Sequence, residues 1–142
     1  MNSYIHFIRH GITAGNENRW YYGRLDIPLT ERGIAQLEKL RTDGIYPNAQ
    51  GADCYTSGML RTEQTFQTIY GDQPHKALPL LREMNFGAWE GMSFDEIKAD
   101  TARKELFDTW MSTTDGSFAF PDGGDSINGF YARIRNGLKE LE

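Results

Sequence analysis

The sequence predicts an α/β fold of three layers, α/β/α, in which a mostly parallel sheet lies between helices. Short apolar segments alternate with amphipathic helical segments, and this alternation is typical of parallel α/β sheets. At 142 residues the chain has the length of one ordinary domain, so we expect residues 1–142 to form a single domain. Hydrophobic residues make up 39% of the sequence, which favours a packed core over disorder.

The first half of the chain contains two predicted strands and two predicted helices. Residues 4–8 are rich in β-branched and aromatic side chains and predict a buried strand, and the polar-aromatic residues 16–29 predict a long loop. A helix follows from its N-cap Thr30 to Asp43-Gly44. Residues 52–55 predict a second buried strand, and residues 59–70 a helix that ends at Gly71.

The second half continues the alternation. Residues 77–81 predict a third strand, and the capping box of Ser93 and Glu96 begins a short helix. Residues 102–111 predict another helix, and the Gly-, Ser- and Asp-rich residues 112–125 predict a mobile loop. Ser126 is the predicted N-cap of a last amphipathic helix.

Composition excludes several classes of partner. The net charge is -5, with 15 Lys+Arg against 20 Asp+Glu, which argues against nucleic acid or an anionic membrane as the main partner. The single cysteine, Cys54, cannot form an internal disulfide, and this fits a reducing compartment. Neither a signal peptide nor a membrane span is evident. We therefore expect a soluble, cytoplasmic protein.

Charged residues follow each predicted strand. Arg9 and His10 come after the first strand, Arg61 lies in the first turn of the helix after the second, and Glu83 follows the third. Ligands of open α/β sheets collect beyond the carboxyl ends of the strands. An arginine can hold an oxyanion with two parallel bonds, and a histidine is easily kept neutral and nucleophilic. The pattern predicts a phosphate pocket with His10 as nucleophile.

Each candidate also has an ordinary structural explanation. Taken singly, Arg61 and Glu83 are typical surface residues, and Asn16 is a common turn residue. The aromatic run at 20–22 fits the mouth of a substrate site and the covering of a sheet edge equally well. Three further residues are interpreted as structural: a core histidine, a loop histidine and a core cysteine, namely His6, His75 and Cys54. Glu90 fits a second catalytic acid and a charge at a helix N-terminus equally well, and it is left out of the predicted site.

Several motifs occur in one order along the chain. They are Arg9-His10-Gly11, Asn16, Gly23…Asp26…Pro28-Leu29-Thr30…Gly33, Ser57…Arg61-Thr62 and Glu83…Phe86-Gly87…Trp89-Glu90-Gly91. This series resembles the histidine phosphatase superfamily, also called the phosphoglycerate mutase-like family, over most of the chain. The resemblance implies that His10 attacks phosphorus, that Arg9, Asn16 and Arg61 bind the phosphate, and that Glu83 is the general acid and then the base.

The segment from Met84 to Gly91 resembles the phosphatase branch of the family, which includes α-ribazole phosphatases. It favours a phosphomonoester hydrolase acting on a small phosphorylated molecule, with no cofactor and no metal. A phosphoglycerate mutase-type phosphoryl transferase and a non-catalytic phosphate-binding module are the alternatives. We leave open whether two copies form a homodimer.

The chain departs from the family's pattern at one place. The family has a second catalytic histidine in a late His-Gly segment, on a strand between the first two, whereas this sequence has no histidine after His75. The resemblance therefore implies a phosphoglycerate mutase-like fold truncated at the C-terminus. We expect a chain that ends at Glu142 to have little activity and poor stability, because a central strand gives hydrogen-bond partners to two neighbours.

Overall fold

Six helices and four short strands form the regular structure in the computed structural model, which describes residues 4–141. The helices are α1 (Ala14–Glu17), α2 (Glu31–Thr42), α3 (Leu60–Tyr70), α4 (Phe94–Lys98), α5 (Thr101–Ser112) and α6 (Ile127–Lys139). The strands are β1 (Trp20–Tyr21), β2 (Tyr55–Thr56), β3 (Lys76–Ala77) and β4 (Met92–Ser93). None of the helices described is long and apolar enough to cross a membrane. Residues 1–3 and 142 of the predicted domain lie outside the described residues.

The strands form two short pairs. β2 pairs with β3 in parallel, with Tyr55 opposite Lys76, and β1 pairs with β4 antiparallel, with Trp20 opposite Ser93. Helix α2 packs on α3, and α6 packs on the 3₁₀ turn at Pro79–Leu81. The parallel pair therefore lies among helices, as the sequence predicted, but its strands are shorter than expected.

The predicted helices are confirmed together with their capping residues. The Thr30 hydroxyl accepts a hydrogen bond from the Gly33 amide at the start of α2, and Ser126 does the same for α6. Ser93 and Glu96 form the predicted capping box of α4. Such caps satisfy amide groups that have no partner inside the helix, so the side chains that begin these helices can be identified from the sequence.

The predicted first strand is wrong for the described structure. Residues 4–8 form no strand, and their apolar side chains are exposed, Tyr4 by 77% and Phe7 by 75%. His6 is exposed as well, so its interpretation as a core histidine is also wrong. A segment with strand propensity becomes a strand only where another segment forms hydrogen bonds along it. No residue within 4–141 pairs with residues 4–8.

Three other local predictions need correction. The second strand is limited to Tyr55–Thr56, and Cys54 before it is half-buried rather than part of the core. The third strand ends at Ala77 because Pro79, which has no N–H and a fixed φ, begins a 3₁₀ turn there. The segment predicted to be mobile at 112–125 packs inward at Phe120, which is only 2% exposed.

The core consists of two hydrophobic clusters. One joins α2 and α3 through Leu29, Leu37 and Ile69. The other is centred on Trp89 and Ile97, both 0% exposed, and on Phe120. Aromatic side chains surround this second cluster, namely Tyr21, Phe86, Phe107, Trp110 and Phe118. Edge-to-face contacts such as that of Tyr21 with Phe86, at 5.5 Å, give the cluster a defined geometry.

His75 belongs to a charged contact rather than to an isolated loop surface. Its Nε2 lies 2.7 Å from the Glu63 carboxylate, and its ring lies 4.2 Å from that of Phe66. The hydrogen bond with Glu63 raises the pKa of His75 above 6.5, although burial opposes the shift. Because the pKa of His75 is higher in the folded state, the contact with Glu63 contributes its full stabilisation below pH 6.5. This contribution is lost as pH rises through the pKa that His75 has in the folded protein.

We expect Ile97→Ala to lower the free energy of unfolding by about 2–5 kcal/mol, because it opens a cavity in the aromatic cluster. Ile45→Ala is the matched control, since Ile45 is 64% exposed, and it should change stability by less than about 0.5 kcal/mol. Urea denaturation followed by tryptophan fluorescence measures both. Equal losses for the two variants would contradict the assignment of Ile97 to the core.

Candidate functional site

The structure brings all five residues of the predicted site to one cleft of about 220 Å³. The cleft is lined by Arg9, His10, Asn16, Trp20, Tyr21, Tyr22, Arg61, Glu83 and Phe86. These residues come from the N-terminal segment, from α1 and β1, from the first turn of α3 and from the segment before the second 3₁₀ turn, Gly87–Trp89. Residues far apart in sequence therefore share one site.

His10 is held in one tautomer. Its Nδ1 lies 2.7 Å from the carbonyl oxygen of Gly11, and a carbonyl only accepts, so Nδ1 carries the proton and Nε2 keeps its lone pair. Burial lowers the pKa of His10 below 6.5, and the positive charges of Arg61 and Arg9 lower it further. The Gly11 hydrogen bond and Glu83 oppose that shift. The ring is therefore neutral near pH 7, with a nucleophilic nitrogen at Nε2.

Arg61 is a buried cation with one guanidinium nitrogen that has no partner within residues 4–141. It is only 2% exposed, and its guanidinium donates to the carbonyl oxygens of Leu25 at 3.1 Å and Gly23 at 2.9 Å. It also lies 5.1 Å from the ring centroid of Tyr22, within the range of a cation–π contact. Its Nε has no hydrogen-bond partner within residues 4–141. A buried N–H without a partner is costly. Arg61 also lines the cleft, where the positive charge of its guanidinium favours an anion.

Asn16 belongs to the capping box of α1 and also lines the cleft. Its Oδ1 accepts from the backbone N–H of Thr13 at 2.9 Å and from the Thr13 hydroxyl at 3.0 Å, within the capping box of α1. Since that hydroxyl donates to Asn16, it accepts from the hydroxyl of Tyr22 at 2.5 Å. The amide oxygen of Asn16 is thus occupied, and its NH₂ group is the part left to donate to a ligand.

Arg9 and Glu83 lie at the rim of the cleft. Both side chains are exposed, and Glu83 Oε1 accepts from the backbone N–H of Met84 at 2.7 Å. Arg9 follows the unpaired residues 4–8, so its backbone is not held by a sheet in the described structure. The site therefore has a buried part, around His10 and Arg61, and an open edge.

The aromatic residues at 20–22 line the cleft, and two of them form a strand pair rather than cover a sheet edge. Trp20 and Tyr21 line the cleft, and their backbones form β1, which pairs with β4. Tyr21 also packs into the aromatic cluster against Phe86 and Trp110. The side of the cleft formed by Trp20 and Tyr21 therefore packs directly on the hydrophobic core.

Glu90 is the site residue that the sequence interpretation missed. Its carboxylate accepts from the backbone N–H groups of Gly23, Arg24, Leu25 and Phe86, at 2.9–3.0 Å. The carbonyls of Gly23 and Leu25 hold Arg61, so Glu90 fixes the loop that positions the guanidinium. The partners lie up to 67 residues away along the chain, and the local sequence contains no signal of them.

The two walls of the site touch at Gly23. A Cβ there would lie 1.8 Å from the carbonyl oxygen of Met84, which no side chain tolerates. Glycine lets the loop at 23–25 approach the segment that carries Glu83. Among the described residues, no group of three or more His, Cys, Asp or Glu side chains could hold a metal ion.

The sequence model of the Histidine phosphatase superfamily (branch 1) matches residues 5–142. The chain is 31% identical over 137 residues to the adenosylcobalamin/alpha-ribazole phosphatase of Salmonella typhimurium. That alignment covers 95% of this chain and 65% of the relative, so the chain spans less than two thirds of the length of this curated relative.

Solved structures show the same likeness. The alpha-ribazole phosphatase of Shigella flexneri superposes with a TM-score of 0.76 at 30% identity, covering 94% of this chain and 64% of that one. A phosphoglycerate mutase of Thermus thermophilus gives a TM-score of 0.70 at 31% identity, covering 94% and 70%. The predicted phosphoglycerate mutase-like α/β fold is thereby confirmed, although the strand pairs within residues 4–141 are short.

We expect Glu90→Gln to weaken the binding of inorganic phosphate by about tenfold, because an amide cannot accept from all the N–H groups that the carboxylate holds and Arg61 loses its fixed position. Isothermal titration calorimetry measures the affinity. Glu105→Gln, an exposed acid of α5, is the control for the charge change and should leave affinity within about twofold. Removing a negative charge would by itself tighten anion binding, so a tighter complex with Glu90→Gln would refute a positioning role.

Proposed function

The chain belongs to the histidine phosphatase superfamily, branch 1, and on this premise we propose that it is a phosphomonoester hydrolase that works through a phosphohistidine. The observation that carries the proposal is the neutral His10, with a free Nε2, in one cleft with the buried Arg61. We propose a small phosphorylated molecule as substrate. The proposal also treats residues 1–142 as one domain.

In the first step, His10 Nε2 attacks phosphorus in line with the ester oxygen. The N–P bond forms as the P–O bond breaks, and the leaving oxygen takes a proton from Glu83, which enters this step as the carboxylic acid and leaves it as the carboxylate. In the second step, Glu83 accepts a proton from water, whose oxygen attacks phosphorus and displaces His10. Inorganic phosphate leaves, and both side chains return to their starting states.

The remaining residues stabilise the phosphoryl group in transfer. Its charge is spread over three equatorial oxygens, so catalysis depends on donors that are already in place. Arg61 offers the positive charge of its buried guanidinium, Asn16 offers its NH₂ group, and Arg9 adds positive charge at the rim. Because Arg61 and Asn16 are already held by hydrogen bonds, little reorganisation is needed when substrate binds.

A phosphoglycerate mutase-type transferase is the second candidate, favoured by the likeness to the Thermus enzyme. It would use the same phosphohistidine but return the phosphoryl group to a second hydroxyl instead of to water. The segment from Met84 to Gly91 resembles the phosphatase branch and supports hydrolysis. Release of inorganic phosphate without a transferred product distinguishes the two, and a non-catalytic module would bind phosphate without forming the adduct.

We expect His10→Ala to abolish hydrolysis, with kcat/KM reduced by at least about three orders of magnitude, because the nucleophile is lost. Phosphate release from a panel of phosphomonoesters is the assay, and intact-mass spectrometry after acid-free quenching detects the phosphoryl adduct in the wild type. His75→Ala is the control, since His75 lies outside the cleft. Turnover that survives in His10→Ala would refute the proposed nucleophile.

The pH dependence of kcat/KM should follow the protonation of His10. Attack needs the neutral ring, and the pKa of His10 lies below 6.5 because of burial and the nearby arginines. We therefore expect the rate to remain high as pH falls to about 6.5 and to decline only below it. Arg61→Gln removes one of these positive charges and should shift the acid limb to higher pH. A shift to lower pH would contradict this account.

A further inference from the structure

We propose that Arg133, together with Asp125, is a positioning residue that holds Glu83 at the cleft. This inference rests on the proposed role of Glu83 as the proton donor. Arg133 lies on α6, outside the cleft, and its guanidinium is directed at the segment that carries Glu83. None of the motifs that carry the family resemblance includes Arg133.

The Arg133 guanidinium holds this segment by its carbonyl oxygens. One terminal nitrogen donates to the carbonyls of Leu80 at 3.0 Å and Arg82 at 2.7 Å. The other donates to the carbonyl of Glu83 itself at 3.1 Å and to the carboxylate of Asp125 at 3.0 Å. Arginine's planar fork of donors suits several acceptors at once, which an ammonium group on a flexible stem does not reproduce.

Asp125 continues the contact on the far side of Glu83. Its Oδ2 accepts from the backbone N–H of Asn85 at 2.9 Å, and its own backbone N–H donates to the carbonyl of Asn85 at 2.8 Å. The ion pair with Arg133 is three-quarters buried, since the two side chains are 24% and 27% exposed. The ion pair of Arg133 and Asp125 therefore forms hydrogen bonds with the backbone before Glu83, at Glu83 and after Glu83.

Glu83 depends on this support because little else holds it. Residues 82–86 belong to neither a helix nor a strand, the Glu83 side chain is exposed, and its carboxylate bonds only to the adjacent Met84 N–H within the described structure. Helix α6 approaches closely enough to support the segment, since a Cβ at Gly137 would lie 2.8 Å from Leu81 Cδ2. A proton donor displaced by about 1 Å loses much of its effect.

Substrates with different leaving groups test the proposal. p-Nitrophenyl phosphate needs little protonation of its leaving oxygen, whereas glycerol phosphate needs a proton donor. We expect Arg133→Gln to reduce kcat/KM for glycerol phosphate by about 10–100-fold and for p-nitrophenyl phosphate by less than about threefold. Glu83→Gln should give the same pattern. Arg135→Gln, an exposed arginine of the same helix, should change neither rate.

A second measurement does not depend on turnover. His10 is surrounded by the charges of Arg9, Arg61 and Glu83, of which Glu83 raises its pKa. Displacing Glu83 should therefore lower the pKa of His10, as measured by NMR titration of Arg133→Gln, whereas loss of a distant cation alone would raise it. In a Glu83→Gln background, Arg133→Gln should add no further decrease.

Equal losses on both substrates, or a His10 pKa that is unchanged or raised, would overturn the proposal. Asp125→Asn is the second variant, which weakens the ion pair and must show the same two effects in a milder form. Thermal melts identify a variant that fails to fold, in which case Asp125→Asn decides. If the wild type hydrolyses neither ester, the proposed function fails, and the His10 titration still decides whether Arg133 positions Glu83.

Discussion

Burial of the Arg61 guanidinium is the constraint on which the rest of the site depends. A cation taken out of water is tolerated only where acceptors surround it. The chain supplies them from the backbone, through the carbonyls of Gly23 and Leu25, and adds the face of Tyr22. The Glu90 carboxylate binds the N–H groups of that same loop. At the Gly23–Arg24 peptide the carbonyl accepts from Arg61 and the N–H donates to Glu90, so one peptide unit joins the cation to a negative charge.

Helix α3 also connects Arg61 to the segment that carries His10. One turn after Arg61, the Thr65 hydroxyl donates to the carbonyl of Arg61 at 2.7 Å and accepts from the N–H of Gly11 at 2.9 Å. Gly11 in turn accepts from His10 and fixes its tautomer. The buried cation and the neutral histidine are therefore set by one helix turn. Their relative position does not depend on the exposed residues 4–8, which have no strand partner within the described structure.

Two arginines from different helices each hold one of the irregular segments that form the site. Arg61 of α3 orders the loop that surrounds the phosphate-binding part, and Arg133 of α6 orders the segment that carries Glu83. Both use the same chemistry, in which a planar guanidinium joins several carbonyl oxygens of an irregular segment. Gly23 lets the two segments meet at van der Waals distance. Irregular backbone thereby gains a defined geometry without belonging to a sheet.

Features whose energetics are local could be predicted from the amino-acid sequence. Helices α2, α4 and α6 begin at the predicted caps because a side-chain oxygen and the N–H that it satisfies lie within three residues. The candidate residues His10, Arg61 and Glu83 could be selected because each follows a predicted apolar strand, where the ligands of α/β sheets bind. Other features required the folded chain. The loop held by Glu90 and the segment held by Arg133 depend on hydrogen bonds between segments that are 50 or more residues apart, and such partners leave no mark on the local pattern. The predicted strand at 4–8 fails for a related reason, because its sequence does not show whether another segment pairs with it, and none within residues 4–141 does.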